Sequence, residues 1–150
     1  MKFSCEKYLL QQAIAIASRC SAAKSPIPAL EGLLVEAGTD VRVTGYDLKK
    51  GIYTSFPADV AEPGSIVLNT RLFGEIVRNL PDGIVTVETD GGFKTAIKCG
   101  TLDYAVMGTN SEEYPELPSV DRQNAVSIPQ GVLSKMIRQT IFAVSDNESR

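Results

Sequence analysis

One unit recurs along this chain with a period of roughly 60 residues: an alternating strand, a short polar step and an amphipathic helix. In the first copy, Lys2-Phe3-Ser4-Cys5-Glu6 leads into a helix predicted from Lys7 to about Arg19. In the second, Ser65-Ile66-Val67-Leu68 passes through Asn69 and Thr70, both good helix N-caps, into Arg71 to Leu80. The third runs Ala125-Val126-Ser127-Ile128, with Pro129 at the helix start, where its missing N–H costs least, and a helix to about Ala143.

Between the first two helices, Leu33 to Glu36, Val41 to Thr44 and Ile52 to Phe56 are short β-rich runs bounded by turn residues, the pattern of an antiparallel meander. Pro81-Asp82-Gly83 stops the second helix. The meander then repeats as Ile84 to Glu88, a turn at Asp90-Gly91-Gly92, Phe93 to Lys98 and Leu102 to Met107. Two β-α-β-β-β halves thus fill residues 1–118 of an α+β domain. With one helix and about four strands in each half, the economical packing lays the two helices side by side on one face of a curved antiparallel sheet. A polar linker, 119–124, precedes the third copy. A lone strand and helix cannot bury enough surface to fold, so 125–150 reads as the truncated start of a second domain, with the gene expected to continue past Arg150.

Composition narrows the chemistry. The chain has 43% apolar residues, enough for a packed core, and no histidine, which removes the commonest general base and metal ligand together with every Ser-His or Cys-His arrangement. Its three cysteines, Cys5, Cys20 and Cys99, include no Cys-x-x-Cys pair, so neither a disulfide framework nor a zinc site is suggested and a reducing cytoplasm fits. Cys99 alternates in step with Ile97 and reads as a buried structural thiol. No apolar run approaches the ~20 residues of a membrane span. Asp40, Asp47 and Asp59 fall in turns or at strand ends, where they serve the backbone, and Asp90-Gly91-Gly92 opens no helix and so is no phosphate loop. No cofactor is implied.

A net charge of −3 excludes a generally basic nucleic-acid binder but leaves room for a local basic face. On the second helix Arg71, Glu75 and Arg78 follow i, i+4, i+7 spacing, with Leu72, Phe73, Ile76, Val77 and Leu80 on the apolar side. The third helix sets Lys135 and Arg138 together with no acid between Pro129 and Phe142. The first ends in Arg19, and Lys24 follows in the loop. Acidic residues gather elsewhere: Asp103, Glu112, Glu113, Glu116 and Asp121 precede Arg122. No base-reading motif accompanies the cations, so contact would be with phosphate, independent of sequence and weakened by salt.

Met1-Lys2-Phe3, Val43-Thr44-Gly45-Tyr46-Asp47-Leu48, Glu62-Pro63-Gly64, Asn79-Leu80-Pro81-Asp82-Gly83 and Glu113-Tyr114-Pro115-Glu116-Leu117-Pro118, in this order, resemble the bacterial DNA polymerase III β subunits, the sliding clamps. The resemblance runs from residue 1 to 150. It implies a DNA clamp fold, three domains per subunit with helices inside and sheets outside, and a head-to-tail homodimer closing into a ring around duplex DNA. It further implies a non-catalytic processivity factor that tethers the replicative polymerase and meets the clamp loader.

Carried over by position, Lys24, Arg71, Arg78, Lys135, Arg138 and Asn147 are the expected DNA-binding residues. At Lys24 the family commonly has arginine, so the charge is kept while the bidentate fork is absent. Phe73, Ile76, Leu80, Tyr104 and Val106 match the edge that meets the neighbouring subunit. There Thr101 and Asp103 depart from the basic residues of some relatives. Arg150 resembles the rim of the cleft for clamp-binding peptides.

A domain of about 100 residues has a radius of gyration near 13 Å, too small to enclose a duplex, so encirclement needs several domains. Two other readings compete. One is a small cytoplasmic enzyme using Cys99 or a carboxylate pair. The other is a non-catalytic protein-interaction module whose basic helix faces are merely solvated.

Overall fold

The computed structural model describes residues 1–118 and 125–145. The chain divides into two compact units, Met1–Leu117 and Pro118–Arg150. The linker expected at 119–124 lies outside the described residues.

In the first unit the order is β1 (Lys2–Glu6), α1 (Lys7–Ala17), β2 (Gly32–Ala37), β3 (Val41–Tyr46), β4 (Gly51–Phe56), β5 (Asp59–Glu62), β6 (Gly64–Asn69), α2 (Thr70–Asn79), β7 (Ile84–Thr89), β8 (Lys94–Cys99) and β9 (Leu102–Met107). The first helix, expected to reach Arg19, tightens after Ala17 into a 3-10 turn, Ser18–Cys20, with the Ser18 hydroxyl bonded back to the carbonyl of Ile14. Asn69 caps α2 as expected, its side-chain oxygen accepting from Leu72 N–H at 3.1 Å.

The strands form two antiparallel sheets, β5-β1-β7-β8-β9 and β4-β3-β2-β6, where pattern alone suggested one curved sheet. Each half lends its opening strand to the other: β1 pairs with β7, and β6 pairs with β2. A polar pair, Ser4 Oγ and Thr86 Oγ1 at 2.9 Å, sits across the first of these seams. Neither half can therefore close its sheet without the other.

One core joins the two helices to both sheets. α1 contributes Leu10, Ala13, Ile14 and Ala17, at i, i+3, i+4, i+7 spacing. α2 contributes Phe73 and Val77, and the strands contribute Phe3, Leu33, Val35, Val43, Ile66, Leu68, Val85, Val87 and Ile97, all buried. Gly45 allows β3 to pass the end of α1, since a Cβ there would overlap the carbonyl oxygen of Ala17. A second, smaller core gathers Ala29, Leu30, Tyr46, Val67 and Tyr114. Tyr114 donates to the carbonyl of Thr44 at 3.4 Å and so fastens the end of the unit to β3.

The second unit holds α3 (Gln130–Thr140), followed by a 3-10 turn at Ile141–Ala143. Residues 125–128, expected as a strand, are not one: their alternation is present, but among the described residues they have no ladder partner, and a strand exists only by pairing. α3 has no buried residue, and Val132, Leu133, Met136 and Ile137 remain open.

Candidate nucleic-acid interface

The helical side of the first unit begins with what each helix leaves uncovered. On α1 the exposed residues are Tyr8, Gln11, Gln12 and Ala15, none of them charged. α2 leaves Arg71, Leu72, Arg78 and Asn79 exposed. Charge on this side thus comes from α2 and from the segment after α1, where Arg19 and Lys24 are both exposed.

The two α2 arginines are not equivalent. Arg71 Nε lies 3.0 Å from Glu75 Oε1, an i, i+4 pair on an open surface, so part of its charge is met within the helix. Among the described residues no carboxylate lies within ion-pair reach of Arg78. Elsewhere Lys2 pairs with Glu88 across β1 and β7 at 3.2 Å, Lys98 with Asp103 across β8 and β9 at 3.5 Å, and Lys7 at the start of α1 with Asp82 at 3.6 Å. Arg78 and Lys24 thus stand exposed on α2 and after α1, with Arg71 half-met by Glu75.

Lys135 and Arg138 are exposed on α3 in the second unit. Asn147 and Arg150 lie outside the described residues.

The edge expected to meet a second subunit is only partly available. Phe73 is 1% and Leu80 3% exposed; both belong to the core and offer no surface to another chain. Truncating Phe73 to alanine would cost about 3–5 kcal/mol of fold stability, so it would report on folding and not on assembly. Ile76 and Val106 are half-buried against the core, and Tyr104 is exposed. In register, Leu102, Tyr104 and Val106 stand opposite Cys99, Ile97 and Thr95, all buried, so they share the inward face of the sheet but lie on its last strand. α2 packs beside that strand. Leu72, placed by pattern on the apolar side, is half exposed: at about 100° per residue it sits well round from the Phe73, Val77 and Leu80 stripe. Leu102, on the same strand, extends the open apolar margin located in the sequence through Ile76, Tyr104 and Val106. Position on an edge strand was the missing signal.

Other chemistry is sparse. Cys99 is buried, with its thiol 3.5 Å from the carbonyl oxygen of Pro81, and Cys5 is buried on β1. Burial, with a smaller push from Glu6, raises the Cys5 thiol to about 12, away from any thiolate role. Among the described residues no group of three potential ligands could hold a metal ion, and no helix is long and apolar enough to cross a membrane.

Residues 1–118 match the family model of the DNA polymerase III beta subunit, N-terminal domain. The chain belongs to this family. Across its whole length it is 35% identical to the beta sliding clamp of Bacillus subtilis and 31% identical to that of Synechocystis. It spans 42% and 41% of those relatives, respectively. Among solved structures, the DNA polymerase sliding clamp from Bacillus subtilis superposes over 100% of this chain and 42% of its own, with a TM-score of 0.94 at 34% identity. The beta subunit from the DNA polymerase of Streptococcus pyogenes gives 0.92 at 27% identity, over 100% of this chain and 41% of its own. The α+β clamp fold, with antiparallel sheets and packed helices, is that of the beta-subunit family.

Proposed function

We propose that this chain is the first domain, and the start of the second, of a DNA sliding clamp: a non-catalytic processivity factor that tethers the replicative polymerase to duplex DNA. The supporting observation is the exposure of cations on and beside the helices. Arg71, Arg78 and Lys24 stand exposed on or beside the helices. An array of lysines and arginines without a base-reading element gives the same energy in every register, which is what sliding requires.

In the same reading Lys135, Arg138 and Asn147 are phosphate contacts of the second domain, and Arg150 belongs to the rim of the peptide cleft. Ile76, Tyr104 and Val106, extended by Leu102, meet the neighbouring subunit of a homodimeric ring. Phe73 and Leu80 support that edge from the core. Polymerase and clamp loader bind the complete protein, and the ring works in the cytoplasm without a cofactor.

The test uses the protein encoded by the full reading frame. Once loaded on nicked circular DNA, it stays bound and slides off after linearisation. Equal loss from circle and line by an assembled, loaded ring overturns the clamp reading and leaves a protein-interaction module with solvated helix faces.

A further inference from the structure

Resting on the clamp reading, with Arg78 as one of its phosphate contacts, we propose that Lys7 is a positioning residue for Arg78. Its ammonium fixes the carboxyl end of α2 and engages Asp82, so that Arg78 keeps an unpaired guanidinium for DNA.

Lys7 differs from the other cations on the helical side. Its side chain is 13% exposed, against 85% for Arg71. The ammonium donates to the carbonyl of Leu80, the residue that closes α2, and stands 3.6 Å from the carboxylate of Asp82. The Lys7 backbone N–H donates to the carbonyl of Gly83 at 2.9 Å. The first residue of α1 thus holds the turn after α2 at three points. A cation suits this place, because the last carbonyls of a helix lack internal donors and carry its negative pole.

Other contacts fix the same turn from the core side. Leu80 is buried, its N–H donates to the carbonyl of Val77 at 3.4 Å, and the Cys99 thiol donates to the carbonyl of Pro81 at 3.5 Å. The two helices pack directly, with Gly74 of α2 facing Ile14 of α1. Arg78 sits in the last turn of α2, two residues before Leu80, with its side chain exposed. Its backbone is therefore anchored through the turn while its guanidinium stays open.

Asp82 explains why a cation, and not merely a donor, stands at Lys7. Its carboxylate is fully exposed and lies four residues beyond Arg78 in the chain. Lys7 spends its charge on this carboxylate and on the Leu80 carbonyl, so it steadies the basic face without adding a phosphate contact of its own. Removing the ammonium takes a donor from Leu80 and leaves Asp82 without this cation beside the last turn of α2.

A double-mutant cycle of Lys7→Met and Arg78→Gln, with binding of this chain to a short duplex read by fluorescence anisotropy at low salt, tests the assignment. Methionine keeps the apolar stem and removes the ammonium. Circular dichroism verifies the fold, and Lys7→Gln replaces Lys7→Met in the cycle if the latter does not fold. Lys7→Met is expected to weaken binding about twofold or more in the parent chain and to have no effect where Arg78 is already glutamine, the non-additivity of residues coupled in one network. Lys7→Arg is expected to keep parental binding. Equal weakening in both backgrounds overturns the proposal, since Lys7 then acts independently of Arg78. Unchanged binding by Lys7→Met, while Arg78→Gln weakens it, also overturns the proposal and leaves the clamp reading standing. Absence of salt-dependent binding by the parent chain overturns both.

Discussion

Val67 and Thr109 exchange two backbone hydrogen bonds, 3.1 Å from Val67 N–H and 2.9 Å from Thr109 N–H, and so bridge the edge strand β6 to the segment leaving β9. This bridge lies where the two sheets approach each other, and it depends on the residue beside it. A Cβ on Gly108 would fall 2.6 Å from Ile66 Cγ1 and 2.9 Å from the carbonyl oxygen of Val67.

Gly108→Ala is therefore expected to destabilise the fold by about 1–3 kcal/mol, the range for forcing atoms into packed space. Urea unfolding measures it. Wild-type stability in this variant would mean that the seam is plastic and the bridge dispensable.

Thiol labelling distinguishes the three cysteines. Cys20, half-buried in the 3-10 turn, should react first near neutral pH, with Cys5 and Cys99 following only as the domain opens. Rapid labelling of Cys99 in the folded chain would revive the nucleophile reading.

Alkaline pH should weaken the domain. Burial raises Cys5 from 9.0 to about 12 and, as the leading cause, Tyr114 from 10.0 to about 12. Both groups stay neutral when folded and ionise at their ordinary values when unfolded. Stability is intact below about pH 9 and falls as pH rises toward 12. Cys5→Ala should flatten part of this decline in denaturant midpoints measured across that range.

Asp47 behaves oppositely. The backbone N–H of Lys50, chiefly, and that of Lys49 hold its carboxyl below the ordinary value of 3.8. The turn is secure above that value and loosens as pH falls through the lowered one. The amide resonances of Lys49 and Lys50 should shift together there. Invariance of both to the lowest pH at which the fold survives would contradict the capping role.

Arg78 should matter more than Arg71 for DNA retention, because Glu75 already meets part of the Arg71 charge. Arg78→Gln is expected to lower the salt slope of binding by about 0.9, and Arg71→Gln by less. An equal effect would show that the Arg71–Glu75 pair opens at no cost in the complex.

Most of the element plan was legible in the residues. Alternation located β1 to β4 and β6 to β9, and Asn69 marked the start of α2. β5 was not legible: Asp59-Val60-Ala61-Glu62 is short and polar at both ends, and it becomes a strand only because β1 offers it an edge. The reverse holds at 125–128, where alternation without a partner yields no strand.

For the candidate site, the sequence by itself determined which side chains could carry charge and that no histidine chemistry was available. Periodicity is local, so it can orient a residue on its own helix or strand. Tertiary structure decided what distant segments do to it. It exchanged the opening strands between halves, sank Phe73 and Leu80 into the core, and left Leu102 open on the edge strand. Each of these depends on packing between residues far apart in the chain, and no pattern within a single element encodes them.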